Sequence, residues 1–562
     1  MGAIKTPKAR RPHRVAFNAR ACSTAPVSKK KRQHLEVNPT ELSEIVERTR
    51  EGALGASDFA KLKAAMDTVV FLTAELQAKG TTLARLRKML FGATTEKTRD
   101  VLKGAREQRS GDKKADSEVR GKAPGHGRNG AAAYTGATRK KVAHPSLHGG
   151  EVCGGCLKGK VYPLEEPAVL VRVTGMAPLT ATVWECDRLR CNLCGEVFTA
   201  EAPAEVGQEK YDETAVGMTA LLKYGAGLPF NRIEKLQAGM GIPLPATTQW
   251  ELVEGGAKKL EPAFDELVNQ AAQADVVHND DTPMKVLALT REQVEAAAAG
   301  APLDRTGVNT SGVIALKDGR PIALFFTGRQ HAGENLADVL KRRGTELAAP
   351  IQMCDALSAN VSGDFETLVA NCLAHARRGF VEVAEHFPAE CAHVLEALRE
   401  VYRVDAVARA ERLSPADRLA LHQAQSGPVM KSLETWLAEQ IEQKRVEPNS
   451  GAGQAVRYMR KHWLKLTLFL RKEGAPLDNN ICERALKKAI LHRKNALFYR
   501  TLNGAHVGDV FMSLIHTAEL SEGNPFDYLV SLLRHHEAVA DAPGDWMPWN
   551  YQRALAAAAT ES

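Results

Sequence analysis

Apolar positions along this chain change period several times, and each change predicts a different kind of element. From Asp58 to Phe91 they recur every seven residues, at Leu62, Val69, Leu76, Leu83 and Leu90. Ala65, Leu72 and Leu86 fill most of the intervening seam, and Lys79 interrupts it. The spacing predicts a helix over 58–99 that self-associates as a coiled coil, or else packs on its own domain. Gly80 weakens its middle by about 1 kcal/mol relative to alanine. Periodicity then fades over 100–150, where G-H-G-R-N-G-A-A-A-Y has the composition of a linker.

Over 206–272 the pattern is helical with short loops. In N-R-I-E-K-L-Q-A-G-M-G-I-P-L-P-A-T-T-Q-W, Ile233 and Leu236 are expected to face inward, and Gly239 and Gly241 permit a turn. Thr247, Thr248 and Gln249 would then open a second helix able to enter a DNA major groove. A plain helical hairpin fits the same residues.

After Ala274 strands take over. Val276 and Val277 open one that carries His278, Asp280 and Asp281, and V-L-A-L is read as its continuation, with a loop from about Thr290 to Val308. S-G-V-I-A-L and P-I-A-L-F-F-T flank Asp318-Gly319, a hairpin-turn signal. A helix over Glu334–Arg343 and a strand ending at Asp355 complete the order strand, strand, strand, helix, strand. That is the order of a ribonuclease-H-like sheet, in which the first and fourth strands lie side by side. Asp280 and Asp355 then become neighbours despite the 74 residues between them, 281–354. Two like charges held close need a cation, and oxygen ligands suit Mg²⁺ or Mn²⁺.

Residues 273–379 thus form the first part of an α/β core, 380–475 a helical insertion, 476–537 the core's completion and 538–562 a C-terminal tail. In the insertion, Ser414-Pro415-Ala416-Asp417 marks a helix start. His375 with Arg377 and Arg378 is a candidate phosphate contact. In the completing segment, Asp478, Asn479 and Asn480 are candidate caps for a helix whose apolar stripe is Ile481, Ala485, Leu486, Ala489 and Ile490. Glu483 falls off that stripe, free to complete a metal site, or serves as an ordinary first-turn acid. Lys487 and Lys494 follow on roughly its face, and with Arg493 they are candidate contacts to a nucleic-acid backbone.

Charge and cysteine usage add to this picture. The chain has 562 residues and a net charge of +8, a bias that suits a polyanionic partner. No acidic residue precedes Glu36, so 1–57 reads as a disordered basic arm. No run of 18 apolar residues and no secretory segment occurs, so no membrane association is expected and the cytosol is the expected compartment. Cys153-G-G-Cys156 and Cys191-N-L-Cys194 are paired knuckles that suit a closed structural Zn²⁺ site within 151–205. The 34 residues between them, 157–190, would hold a hairpin, and Cys186 is expected to be a buried extra thiol. The fold class expected is multidomain α+β: a coiled-coil helix, a Cys₄ zinc module and a helical DNA-binding domain, then a ribonuclease-H-like core with a helical insertion.

Taken in order over roughly 58–550, the motifs resemble the insertion-sequence-66 family of bacterial DDE transposases. H-N-D-D-T-P resembles that family's first-aspartate strand and I-Q-M-C-D-A its second. N-C-L-A-H-A-R-R-G-F is similar to its Cys-x-Ala-His-x-Arg-Arg signature. D-N-N-I-C-E-R-A-L with H-R-K-N-A-L-F resembles the block bearing its catalytic glutamate. R-L-R-K-M-L-F-G-A-T-T-E-K, the Cys pairs and D-W-M-P-W resemble its zipper end, zinc domain and tail. Two departures stand out: Asp355 is followed by A-L-S-A-N, without the usual early aromatic, and Asp281 stands where Glu is common. They leave Asp364 as a rival second carboxylate.

The resemblance implies Asp280, Asp355 and Glu483 as catalytic ligands of Mg²⁺ or Mn²⁺ that cut transposon ends and join them to target DNA. It implies a bacterial, nucleoid-associated protein whose partners are DNA, further copies of itself and transposon-encoded accessory proteins. A catalytically inactive regulator or accessory protein, and a nuclease of the same fold, are the alternatives.

Overall fold

The computed structural model describes residues 209–301, 305–363 and 365–561 continuously, together with scattered positions before 209. Of the predicted coiled coil, Asp58, Phe59, Leu62 and Thr98 are described as helical, and the rest of 58–99 lies outside the described residues. Among the described residues no helix is long and apolar enough to cross a membrane.

Ahead of the main fold, β1 (Arg188–Arg190) and β2 (Val197–Thr199) pair antiparallel around the second cysteine knuckle. An isolated bridge from Val152 to Lys160 brackets the first. β1 falls at the end of the 157–190 segment expected to hold a hairpin, and 163–176 of that segment lie outside the described residues. Cys186 is exposed, not buried, because the chain leading into β1 has little packed against it.

Three helices follow: α1 (Glu213–Ala220), α2 (Phe230–Gly239) and α3 (Ala246–Ala272). The turn between α2 and α3 places Gly241 at φ +77, in the left-handed region where a Cβ would be strained. Ile233 is fully buried as expected, but Leu236 is 45% exposed. Gln237, four residues after Ile233, takes the buried place on that face, and Leu236, three residues on, sits at its margin.

The main sheet has five strands in the order β5-β4-β3-β6-β7. They are β3 (Val276–Pro283), β4 (Asn309–Lys317), β5 (Arg320–Gly328), β6 (Ile351–Cys354) and β7 (Leu368–Asn371). β3 runs antiparallel to β4 and parallel to β6. The β4–β5 turn has Asp318 at φ +50 and Gly319 at φ +74, the two positive values a two-residue type I′ hairpin requires.

Two expectations fail next to β3. V-L-A-L does not extend the strand: Pro283 ends it, and Leu287–Ala298 forms helix α4. That segment is rich in Ala, Leu, Glu, Gln and Arg, all strong helix formers, so the expected loop shrinks to the residues after Ala298. β7 was not anticipated, because four residues are too few to show an alternation.

The connection from β5 to β6 runs through α5 (Ala332–Leu340), near the expected Glu334–Arg343. Beyond β7 come α6 (Leu373–Val383), α7 (Pro388–Ala410), α8 (Pro415–Leu421), α9 (Gly427–Glu442) and α10 (Gly451–Lys461). The Ser414 hydroxyl caps α8 as predicted, accepting the Asp417 N–H at 3.1 Å. The chain then forms α11 (Asn480–Ala496) and α12 (Leu502–Leu520).

Two hydrophobic cores meet at the sheet. One joins Val277, Val313 and Leu324 to α3 and α12, and takes in Trp546 and Met547 near the C-terminus. The other joins Val276, Ile351 and Met353 to Phe380, Leu398 and Leu433 of the helical insertion. Strand alternation sends the adjacent Val276 and Val277 to opposite cores. The arrangement is a mixed α/β fold compatible with a ribonuclease-H-like core.

Candidate active site

The register between β3 and β6 decides where the aspartates stand. Val276 pairs with Ile351, Val277 with Gln352 and His278 with Met353. Continued by two residues, the same register sets Asp355 beside Asp280. A side chain the sequence reading missed links them. Asn360 is buried, and its Nδ2 donates to Asp355 Oδ1 at 2.7 Å and to Asp280 Oδ1 at 3.3 Å. Its backbone carbonyl accepts from Asn279 Nδ2 and Gln352 Nε2, each at 2.7 Å. The amide is thereby fixed with its donors toward the carboxylates. Asp281 points the other way, as an adjacent strand residue must. Its Oδ2 lies 2.8 Å from His331 Nδ1, at the cap of α5.

Glu483 arrives on α11, and the contact of that helix with the sheet explains how. Gly312 of β4 pairs with Asp280. A Cβ there would lie 3.1 Å from Leu486 Cδ2 and 3.5 Å from Cys482 Sγ, so glycine lets α11 settle onto the sheet. Cys482 Sγ donates to the Gly312 carbonyl at 3.3 Å. The helix start is held by Asn479. Its N–H reaches Cys372 Sγ at 3.2 Å, its Nδ2 donates to the Asn279 carbonyl at 3.0 Å, and its Oδ1 faces His278 Nδ1 at 3.1 Å. Asn479 occupies the cap position, yet its side chain docks on β3; Asp478 accepts the Asn480 N–H instead.

Glu483 is half-buried in the first turn, its Oε1 3.6 Å from His375 Nδ1 and its Oε2 3.6 Å from an Arg378 nitrogen. Burial, and then the charges of Asp355, Asp281 and Glu483, push the Asp280 carboxyl up to about 7, against the pull of the Asp281 N–H. Tyr458 stands nearby, its phenol pushed up to about 12 by burial and then by Asp355.

The remaining expected residues divide. Lys487 and Lys494 are exposed on α11. Arg493 is committed to the end of β3, donating to Thr282 Oγ1 at 3.0 Å and to the Pro283 carbonyl. Arg377 donates to Thr98 Oγ1 at 3.3 Å. Thr247 is exposed and Thr248 half-buried at the start of α3. Gln249 does not fit a groove-reading role. It is fully buried, and its Nε2 donates to the Leu244 carbonyl at 2.8 Å and the Phe230 carbonyl at 3.2 Å, which holds the α2–α3 turn. Cys156 and Cys194 are exposed, while Cys153, Cys191 and the rival Asp364 lie outside the described residues.

Asp280 and Asp355 offer oxygen donors of the kind a hard divalent cation prefers. Burial and like charges disfavour ionised Asp280 beside Asp355 and Glu483, and a cation among them reverses that cost. The sequence pattern described as Transposase IS66 family matches residues 210–507, a span that contains all three acids. This chain belongs to the IS66 transposase family. Curated relatives include the uncharacterized proteins y4jD and y4hP of Sinorhizobium fredii (strain NBRC 101917 / NGR234). The first is 27% identical over 384 residues, covering 65% of this chain and 71% of the relative. The second is 26% identical over 394 residues, covering 66% and 68%. Membership supports a transposase-related role in DNA processing, with DNA as partner and a divalent metal as cofactor.

Proposed function

We propose that this chain is a DDE-type transposase that cuts transposon ends and joins them to target DNA, with Asp280, Asp355 and Glu483 as its catalytic carboxylates. The parallel β3–β6 register carries the reading, because it sets Asp280 and Asp355 side by side with the Asn360 amide between them. These three residues would hold Mg²⁺ or Mn²⁺. When bound, such cations activate the attacking oxygen and stabilise the leaving one. The chain's own part is placement. Asn360 orients two carboxylates, Asn479 and Gly312 seat the helix that brings the third, and Arg378 lies where a phosphate could reach it.

Exposed Lys487, Lys494 and Thr247 are the proposed backbone contacts to DNA. Cys153, Cys156, Cys191 and Cys194 are proposed to hold one structural Zn²⁺. The backbone pairing around each knuckle and the Gly159 N–H donated to Cys156 Sγ at 3.4 Å support that reading. Residues 58–99 are proposed to self-associate as a coiled coil.

The test is cleavage and joining of DNA carrying the element's own flanking ends, in Mn²⁺. Glu483→Gln and Asp280→Asn are expected to abolish strand cleavage while binding to the ends persists. Undiminished cleavage by either variant would remove the assignment. Cleavage without joining in the unaltered protein would mark a nuclease, and end binding without cleavage an inactive accessory protein.

A further inference from the structure

His375 has no place in a three-carboxylate site, yet its geometry is tied to one. Its Nδ1 and Glu483 Oε1 are both buried and without a hydrogen-bond partner, and they face each other at 3.6 Å. That gap is too long for a hydrogen bond, for which about 2.7–3.2 Å is usual. It does match two atoms bound to one cation, since ligands at about 2.1 Å from a metal stand roughly 3–3.6 Å apart. Cys372, His375 and Glu483 can bring one ligand atom each to within 4.8 Å of one another.

Among these three, Cys372 has another task. Its sulfur receives the Asn479 N–H at 3.2 Å, which joins the start of α11 to the end of β7. His375 sits in the first turn of α6, directly after that junction, and its Nδ1 is left to the carboxylate. Other histidines near the acids are already engaged. His278 Nδ1 faces Asn479 Oδ1 at 3.1 Å, and His331 Nδ1 faces Asp281 Oδ2 at 2.8 Å.

We infer that His375 Nδ1 is a nitrogen ligand of the cation held by Glu483, so that this position prefers a first-row transition cation such as Mn²⁺ over Mg²⁺ or Ca²⁺. An imidazole donor strengthens binding of transition cations, whereas Mg²⁺ and Ca²⁺ favour oxygen alone. The inference rests on the reading of Asp280, Asp355 and Glu483 as a cation site, and the experiment separates the two.

Full-length protein is loaded with Mn²⁺ and examined by pulsed electron paramagnetic resonance for ¹⁴N coupling to the metal. Mn²⁺ affinity is measured by calorimetry, with Mg²⁺ as competitor. The expected result is a ¹⁴N coupling in the unaltered protein that His375→Gln removes. The variant should also bind Mn²⁺ at least about tenfold more weakly, with a smaller change for Mg²⁺. His375→Asn serves as a second variant, and melting without metal confirms that both fold. Mn²⁺ binding that Glu483→Gln abolishes, but with no ¹⁴N coupling in the unaltered protein, overturns the ligand while the carboxylate site stands. A ¹⁴N coupling that survives both His375 variants overturns it as well. No Mn²⁺ binding dependent on Glu483 overturns both.

Discussion

Asp280 and Asp509 are both pushed up to about 7, for different ends. Asp280 shares its burial with other carboxylates, which suits a cation. Asp509 is enclosed in α12 against β5, where the Thr327 N–H and hydroxyl donate to it at 2.7 Å each. Burial raises its carboxyl from 3.8 to about 7 even though both Thr327 bonds lower it. The folded state therefore binds a proton that the unfolded state has lost between these two values. Stability from this group is fully present below about 4 and is lost as pH rises toward 7. The loss is on the order of 4 kcal/mol. Asn can accept the Thr327 N–H and donate to its hydroxyl, so Asp509→Asn should lack this slope. Urea midpoints of both proteins from pH 4 to pH 8 check it; parallel curves would show that Asp509 ionises freely. No pattern in the sequence marks this residue, since G-D-V-F-M-S-L-I-H-T reads as a uniformly buried helix.

At the scale of elements, the same stretch of α12 covers the free edge of β5. Asp509, Ser513 and Thr517, one turn apart, accept the N–H groups of Thr327, Phe325 and Ala323. An edge strand so covered has no donors left to recruit another chain. On the opposite side of the site, α11 depends on a single glycine. Gly312→Val should force the helix away from β4 at a cost of about 1–3 kcal/mol and carry Glu483 with it. A fall in Mn²⁺ affinity alongside the lower melting temperature is the expected outcome. Unchanged affinity would mean that Glu483 keeps its place without this contact. These elements were unequally legible. The Asp318-Gly319 hairpin followed from local turn chemistry, and the helix after it lies within three residues of its expected bounds. α4 was missed because its apolar start also reads as strand. The seating of Asn479 on β3 is a contact across 200 positions, which no local pattern encodes.

Across the whole molecule, strand order was the legible part of the site and depth was not. Counting strands, helix and strand made Asp280 and Asp355 neighbours, but the Asn360 amide that joins them lies in a short 3₁₀ turn with no periodicity. Periodicity alone marks Glu483 only as a residue off its stripe. Both hydrophobic cores draw on residues from Val216 onward, and the sheet with all three carboxylates lies within that span. Among the described residues, two side-chain hydrogen bonds reach back from it: Gln237 Nε2 donates to the Leu179 carbonyl at 3.0 Å, and Arg377 donates to Thr98. Both are polar contacts of modest worth, about 1 kcal/mol each. Because the sheet, the described core residues and all three carboxylates lie within it, a chain comprising 209–562 is expected to fold cooperatively, melt within a few degrees of the core transition of the full protein, and bind Mn²⁺ with similar affinity. Calorimetric scans and Mn²⁺ titration of the two proteins make the comparison. If the shortened chain fails to fold, the preceding residues contribute packing to the catalytic unit. If it folds but binds Mn²⁺ far more weakly, they help to hold the carboxylates in place.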